Sequence, residues 1–189
     1  MSAAPLGSAM IDDMERRAFL AGALLALPSV AGARGGQVGG VVRVPAGEDR
    51  SGAPKGLGIS TIDIKITTAD AGGALLVIEN TNRAKGGPAR HLHTAQDEVF
   101  YVLEGEYVIE VGSERYALGR GDTLLAPRQV PHAWAYVGAG TGRLLISFTP
   151  AEHMEAFFRE VAKTNAMPPR DPAIWKAHGM ELVGPPLEV

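Results

Sequence analysis

Strict alternation of apolar and polar side chains is clearest between Thr61 and Thr67, where Ile62, Ile64 and Ile66 fall on one face and Thr61, Asp63 and Lys65 on the other. A repeat of two is that of a strand with one face buried. Further short β-prone runs follow at Gly73–Glu79, Glu98–Glu104, Glu106–Val111, Thr123–Ala126, His132–Val137 and Leu144–Thr149. Turn residues separate them at Gly86-Gly87-Pro88, Gly112-Ser113, Gly119 to Asp122, Pro127 to Pro131 and Gly138 to Gly142. Many short strands at regular spacing with such punctuation predict an all-β fold, an antiparallel sandwich or barrel.

The period changes after Thr149. Thr149-Pro150-Ala151-Glu152 has the form of a capping box with proline at the first helical position, and Met154, Phe157, Phe158 and Val161 recur at helical spacing. The pattern predicts a helix to about Ala166, laid on the sandwich. Asp171-Pro172 starts a second short helix that Gly179 is placed to end, with Ile174 and Trp175 as packing residues. Residues 34–58 are rich in Gly and Pro with one β-prone run, Val41 to Val44, and read as a linker or an edge strand packed on the domain. The expected organisation is therefore 34–58 linker or edge segment, 59–150 β-barrel and 151–189 helical extension packed on it.

Residues 1–33 are set apart as an address. Two adjacent arginines, Arg16 and Arg17, precede Phe19, Leu20, a short apolar run and the small-residue end Ala31-Gly32-Ala33. This is the layout of a cleavable export signal, with cleavage after Ala33, and the paired arginines resemble the twin-arginine type. The expected location is periplasmic or secreted. The alternative is a frayed N-terminal helix of a cytoplasmic protein.

Composition narrows the chemistry. A net charge of -3, from 18 basic and 21 acidic residues, gives no footprint for nucleic acid. No apolar stretch is long enough for a membrane anchor. The partner expected is a small molecule, with homodimerisation through exposed sheet edges. Without cysteine, any tight metal site must be built from histidine and carboxylate, which makes the five histidines worth locating.

Three of them fall in two segments. In the run from Gly86 to Gly105, His91 and His93 share one face of a strand, while Glu98, five residues past His93, reaches that face only if Thr94 to Asp97 turn. In the run from Gly121 to His132, a bend at Pro127 to Pro131 delivers His132 to the next strand. Three imidazoles and one carboxylate can then converge on one point. Such a set suits Fe(II), Mn(II), Ni(II), Cu(II) or Zn(II) better than Mg(II) or Ca(II). His153 and His178, near helix ends, receive no role.

These residues resemble the two motifs of the cupin superfamily: His91, His93, Glu98 and Gly105 match the first, and Gly121, Pro127 and His132 the second. Lys85 stands where the first glycine usually sits, Gln129 replaces the inner glycine of the second motif and Tyr136 its final asparagine, none of which removes a ligand. The motifs span Gly86 to Tyr136, and a looser resemblance runs from about Gly73 to the tail. The chain looks most like single-domain cupins compared with quercetin dioxygenases. The resemblance implies a jelly-roll barrel with C-terminal helices and one divalent metal on His91, His93, Glu98 and His132, Glu98 also serving as catalytic base.

Strand parity extends the site. Phe100 and Val102 share the face of Glu98, Trp134 and Tyr136 that of His132, and Tyr107, Ile109 and Val111 face inward from the strand with outward glutamates. Phe100, Tyr107, Trp134 and Tyr136 are the candidate substrate pocket, Trp134 and Tyr136 being favoured for their polar handles. An aromatic, apolar pocket beside a metal points to a mononuclear dioxygenase acting on a small hydrophobic or aromatic substrate. Metal-dependent isomerase or lyase chemistry, and binding without turnover, are the alternatives. Twin-arginine export, which moves chains already folded, favours Fe or Mn as the ion, because folding before export shields the site from the tighter-binding Cu and Zn.

Overall fold

The computed structural model describes residues 40–189, so the export-signal reading of residues 1–33 lies outside the described residues. Eleven strands form two antiparallel sheets. They are β1 (Lys55–Leu57), β2 (Ser60–Ile66), β3 (Leu76–Asn82), β4 (Ala89–His93), β5 (Asp97–Glu104), β6 (Tyr107–Val111), β7 (Glu114–Leu118), β8 (Thr123–Ala126), β9 (His132–Tyr136), β10 (Gly142–Thr149) and β11 (Met180–Pro186), with helices α1 (Met154–Val161) and α2 (Pro172–Ala177) between the last two. One sheet has the order β1-β2-β3-β10-β5-β8, the other β11-β4-β9-β6-β7. Their inner faces carry Ile64, Leu76, Ile78, Phe100, Ile109 and Leu144, each at most 1% exposed, so the expected jelly-roll sandwich closes over a continuous apolar core. Each such side chain contributes about 2 kcal/mol by leaving water.

Two registers place the chemistry. His91 on β4 stands directly opposite His132 on β9. Glu98 on β5, in the other sheet, stands between Phe148 of β10 and Ala126 of β8. The β4–β9 approach needs glycine upstream, since a Cβ on Gly87 would sit 1.8 Å from the carbonyl oxygen of Trp134.

The structure departs from the sequence expectations where tertiary pairing overrides local signals. The capping box at Thr149 does not form. Thr149 stays in the β10 ladder opposite Asp97, Glu152 adopts a left-handed φ of 44°, and α1 begins only at Met154. The helical extension 151–189 ends in a strand, since β11 pairs with β4 through Met180–His93 and Leu182–His91 despite Gly184, Pro185 and Pro186. β7 carries no alternation, four of its five residues being exposed, and is held by its ladder to β6. The strand expected at Gly73–Glu79 begins at Leu76, after a turn with Gly72 and Gly73 at positive φ, and runs on to Asn82. Val41 to Val44 forms no strand.

The segment before β1 is clasped to the barrel rather than loose. Asp49 accepts hydrogen bonds from the amides of Ile64 and Ser51, both at 2.7 Å, and faces Lys55 Nζ at 3.3 Å. Burial works to raise its pKa, but hydrogen bonds from Ser51 and Ile64 and the charge of Lys55 outweigh that and lower it. A lowered carboxyl pKa adds stability above the unfolded value, near 3.9, and loses it as pH falls below that. Asp49→Ala should cost about 1–3 kcal/mol at neutral pH in urea unfolding, and the gap to the wild type should narrow below roughly pH 4.

Candidate metal centre

His91, His93, Glu98 and His132 are all at most 5% exposed. One donor atom from each lies within 4.8 Å of the others. Donors around one ion with bonds near 2.1 Å stand at most about 4.2 Å apart, so binding asks only for sub-ångström closure. The four residues expected from the motifs are thus brought together.

The outer ring of contacts decides which nitrogen faces the centre. His91 Nδ1 donates to the carbonyl of Ala89 at 2.8 Å, His132 Nδ1 to that of Val130 at 3.0 Å, and His93 Nδ1 to Gln96 Oε1 at 2.9 Å. Gln96 is itself oriented, its Nε2 donating to the carbonyl of Ala151 at 2.6 Å, so its oxygen is the atom turned to His93. With every Nδ1 committed as a donor, every Nε2 carries its lone pair inward. Two of these meet one carboxylate oxygen, His93 Nε2 at 3.1 Å and His132 Nε2 at 2.9 Å from Glu98 Oε2. With Nδ1 already donating, a proton on Nε2 as well would turn each ring into an imidazolium. A divalent cation satisfies the three groups together, and the nitrogen-rich donor set fits a transition metal.

Protonation favours metal ligation at His91 and Glu98 and competes with it at His132. His91 is pushed down to about 3, first by burial and then by the charges of His132 and His93, so it is a neutral ligand across the physiological range. Burial alone would raise Glu98, but hydrogen bonds from His132 and His93 hold it well below the usual carboxylate range, fully ionised. His132 is lowered by burial and raised more strongly by its hydrogen bond to Glu98 and that group's charge, with a net rise.

The loop that delivers His132 is fixed from outside. Arg128 donates to Asp97 through Nε at 3.0 Å, Nη2 at 2.7 Å and its backbone amide at 2.9 Å, and these bonds pull the Asp97 pKa down to about 2. Gln129, where the family motif has glycine, adopts a left-handed φ of 63° so that its amide can donate to the carbonyl of His93 at 2.7 Å.

A narrow cavity opens beside the donors, with about 50 Å³ reachable by the centre of a water-sized sphere. His91, Glu98 and Trp134 line it. Phe100, Tyr107 and Tyr136, expected alongside Trp134, face inward as core but line no part of it. Phe100 is edge-on to His132 with ring centroids 6.4 Å apart, and the two tyrosine rings pack together at 5.4 Å, Tyr107 donating to Asn82 Oδ1. Val102 and Ile109 are likewise core, and Val111 packs against it. The remaining wall comes from the C-terminal segment. Phe157 and Phe158 of α1 and Trp175 of α2 roof the cavity, Trp175 lying 4.9 Å from His91 by ring centroid. The apolar stripe of α1 signalled a packed helix but not that it packs on the site; only the three-dimensional path of the chain shows that.

An all-β, two-sheet barrel with a buried three-histidine, one-carboxylate centre is the class that fold and site define. Residues 82–148 match the family model of the cupin domain, a segment that contains all four donors, and that match supports the cupin superfamily. An uncharacterised protein of Methanocaldococcus jannaschii is 30% identical over 64 residues, covering 33% of this chain and 51% of that protein. One of Streptomyces coelicolor is 36% identical over 58 residues, 31% of this chain and 54% of its own. The chain thus spans about half the length of the curated relatives it matches. Among solved structures, an RmlC-like cupin of Shewanella frigidimarina is similar at 23% identity and a TM-score of 0.45, covering 55% of this chain and 87% of that one.

Two outcomes check the site. Gln96→Ala should weaken divalent-metal binding about 10- to 100-fold in calorimetric titration, by freeing the His93 ring, with folding retained by circular dichroism. Gln129→Gly should raise stability by about 1 kcal/mol in urea unfolding at unchanged metal stoichiometry, since glycine holds a left-handed backbone without the Cβ penalty.

Proposed function

We propose that the chain is a mononuclear metal-dependent oxygenase that acts on a small, largely apolar substrate beside Glu98. The observation that carries the reading is the inward convergence of three imidazoles and an ionised carboxylate on the wall of a narrow, largely apolar cavity. A bound Fe or Mn ion would supply a Lewis acid and a site for O2 or an enolate at this point. The chain's own residues do the rest. His91, His93 and His132 would hold the ion. Glu98 Oε2 is engaged by two histidines, which leaves Oε1 to take a proton from substrate and return it. Trp134 and the α1–α2 roof exclude bulk water from that exchange.

The cavity volume bears on the substrate. By the measure in which one water needs about 10–15 Å³, 50 Å³ is room for roughly four waters, which favours a small or slender molecule over a large planar one. Isomerase or lyase chemistry would use the same base without oxygen. The proposal retains export of residues 1–33, on the order of arginine pair, apolar run and Ala-x-Ala end.

His93→Ala and His132→Ala should each abolish stoichiometric metal in elemental analysis while the far-ultraviolet circular dichroism stays that of the wild type, because the core is apolar and not organised by metal. With protein reconstituted with Fe(II) or Mn(II) and a panel of small enolisable ketones and catechols, an oxygen electrode should record uptake that both variants lose. Product without oxygen uptake would move the reading to the isomerase or lyase, and saturable binding without product to a carrier.

A further inference from the structure

The far end of the cavity is not apolar. Ser60 on β2 and Asn80 on β3 both line it, at 5% and 2% exposure. Among the described residues, Asn80 has one side-chain hydrogen bond, from its Nδ2 to Asn82 Oδ1 at 2.7 Å, and Ser60 Oγ has none. The Asn82 oxygen also accepts from Tyr107 Oη, so Asn82 is fully occupied as an acceptor and fixes the orientation of the Asn80 amide. What is left facing the cavity is an amide oxygen and a hydroxyl. Among the described residues the fully buried side-chain atoms without a partner are Asp63 Oδ1, Thr68 Oγ1, Asn82 Nδ2 and Tyr136 Oη, so Ser60 Oγ and Asn80 Oδ1 keep accessible surface.

Their distance from the metal centre follows from register. Asn80 pairs with Leu144 of β10 and Glu98 with Phe148 of the same strand. Four residues of strand separate the two levels, or about 13 Å. Ile146 lies between the two levels, with Ile62 opposite Asn80 and Phe148 opposite Glu98, and none of these three lining residues is ionisable. A volume of about 50 Å³ shared over that length leaves a slot one chain wide.

We propose that Ser60 and Asn80 form a distal hydrogen-bonding subsite, and that the substrate is a slender bifunctional molecule with an anionic or chelating head at the metal, an unbranched apolar middle and a terminal hydroxyl or amine at Asn80. This rests on the metal-centre reading for the head group only. An ω-hydroxyl donates to Asn80 Oδ1 and accepts from Ser60 Oγ, engaging both groups. A bare methyl terminus leaves them unpaired.

The test compares n-alkanoates with ω-hydroxyalkanoates of roughly six to nine carbons, a length set by the strand spacing, in calorimetric titrations of full-length protein with and without Mn(II). The wild type should prefer the ω-hydroxy form about tenfold at the best-matching length, the worth of one well-made buried hydrogen bond. Asn80→Leu, which keeps volume, should bring that ratio to near one while alkanoate affinity and metal stoichiometry hold. Ser60→Ala should lower it in part, and serves as the second variant if Asn80→Leu unfolds. Equal binding of the two series by the wild type, or a preference that survives both substitutions, would overturn the subsite. Failure to take up Mn(II) would sink the metal reading alone, because the same comparison made with 1-alkanols and α,ω-diols, whose uncharged heads the ionised Glu98 does not repel, still judges Ser60 and Asn80 in metal-free protein.

Discussion

A carboxylate from one sheet, shared between two imidazoles of the other, is the contact on which this site depends. Glu98 belongs to β5 and the sheet of β1, β2, β3, β10 and β8; His93 and His132 belong to β4 and β9 opposite. Strand pairing sets the spacing within each sheet, but nothing in a ladder sets the distance between sheets; that comes from core packing at about 10 Å. The 2.9 and 3.1 Å contacts to Glu98 Oε2 bridge that gap through side chains alone. The cost of placing an ionised group there is met by locked donors, each Nδ1 having a carbonyl to hold it. A site built this way is ordered by its surroundings and not by its own flexible ends.

How much of this was legible in the sequence follows from how local each signal is. The alternation at Ile62, Ile64 and Ile66 and the turns around Gly112 and Gly119 are local, and the sandwich followed from them. His91, His93, Glu98 and His132 were legible because motif spacing encodes a register. The wall of the cavity was not. Parity could say that Phe100, Tyr107 and Tyr136 face inward, but not that the open space lies along β2, β3 and β10 instead. Asn80 and Asn82 were missed for a related reason. Polar residues ending a strand read as turn formers, and only the ladder to β10 shows them buried at 2% and 0%. β7 and β11 lacked any local pattern, the first being exposed and the second broken by Gly and Pro, and each exists through its neighbour.

Gln129 and Asp97 illustrate a compensation. A residue with a Cβ occupies a left-handed position in the loop before His132, a conformation that costs on the order of 1 kcal/mol. The loop is held there by the Arg128–Asp97 pair and by the amide bond to the His93 carbonyl. The family glycine can therefore be lost without losing the ligand, since the loop's shape is imposed by contacts to β4 and β5 rather than by the freedom of one residue.

The return of β11 to the edge of β4 has a consequence for biosynthesis. His91 and His93 emerge from the ribosome roughly 90 residues before Met180 and Leu182, their ladder partners. For that interval the metal-binding strand has one unpaired edge, and the cavity has no roof, because Phe157, Phe158 and Trp175 have yet to be made. Once about 150 residues have left the ribosome, all four donors could stand around an open, wettable cup. Ion capture at that stage would be exchangeable, and the arrival of α2 and β11 would turn a reversible encounter into long-lived retention. For an ion held at this cluster, the order of translation would thus set a window in which the surrounding fluid, and not the finished protein, selects the metal.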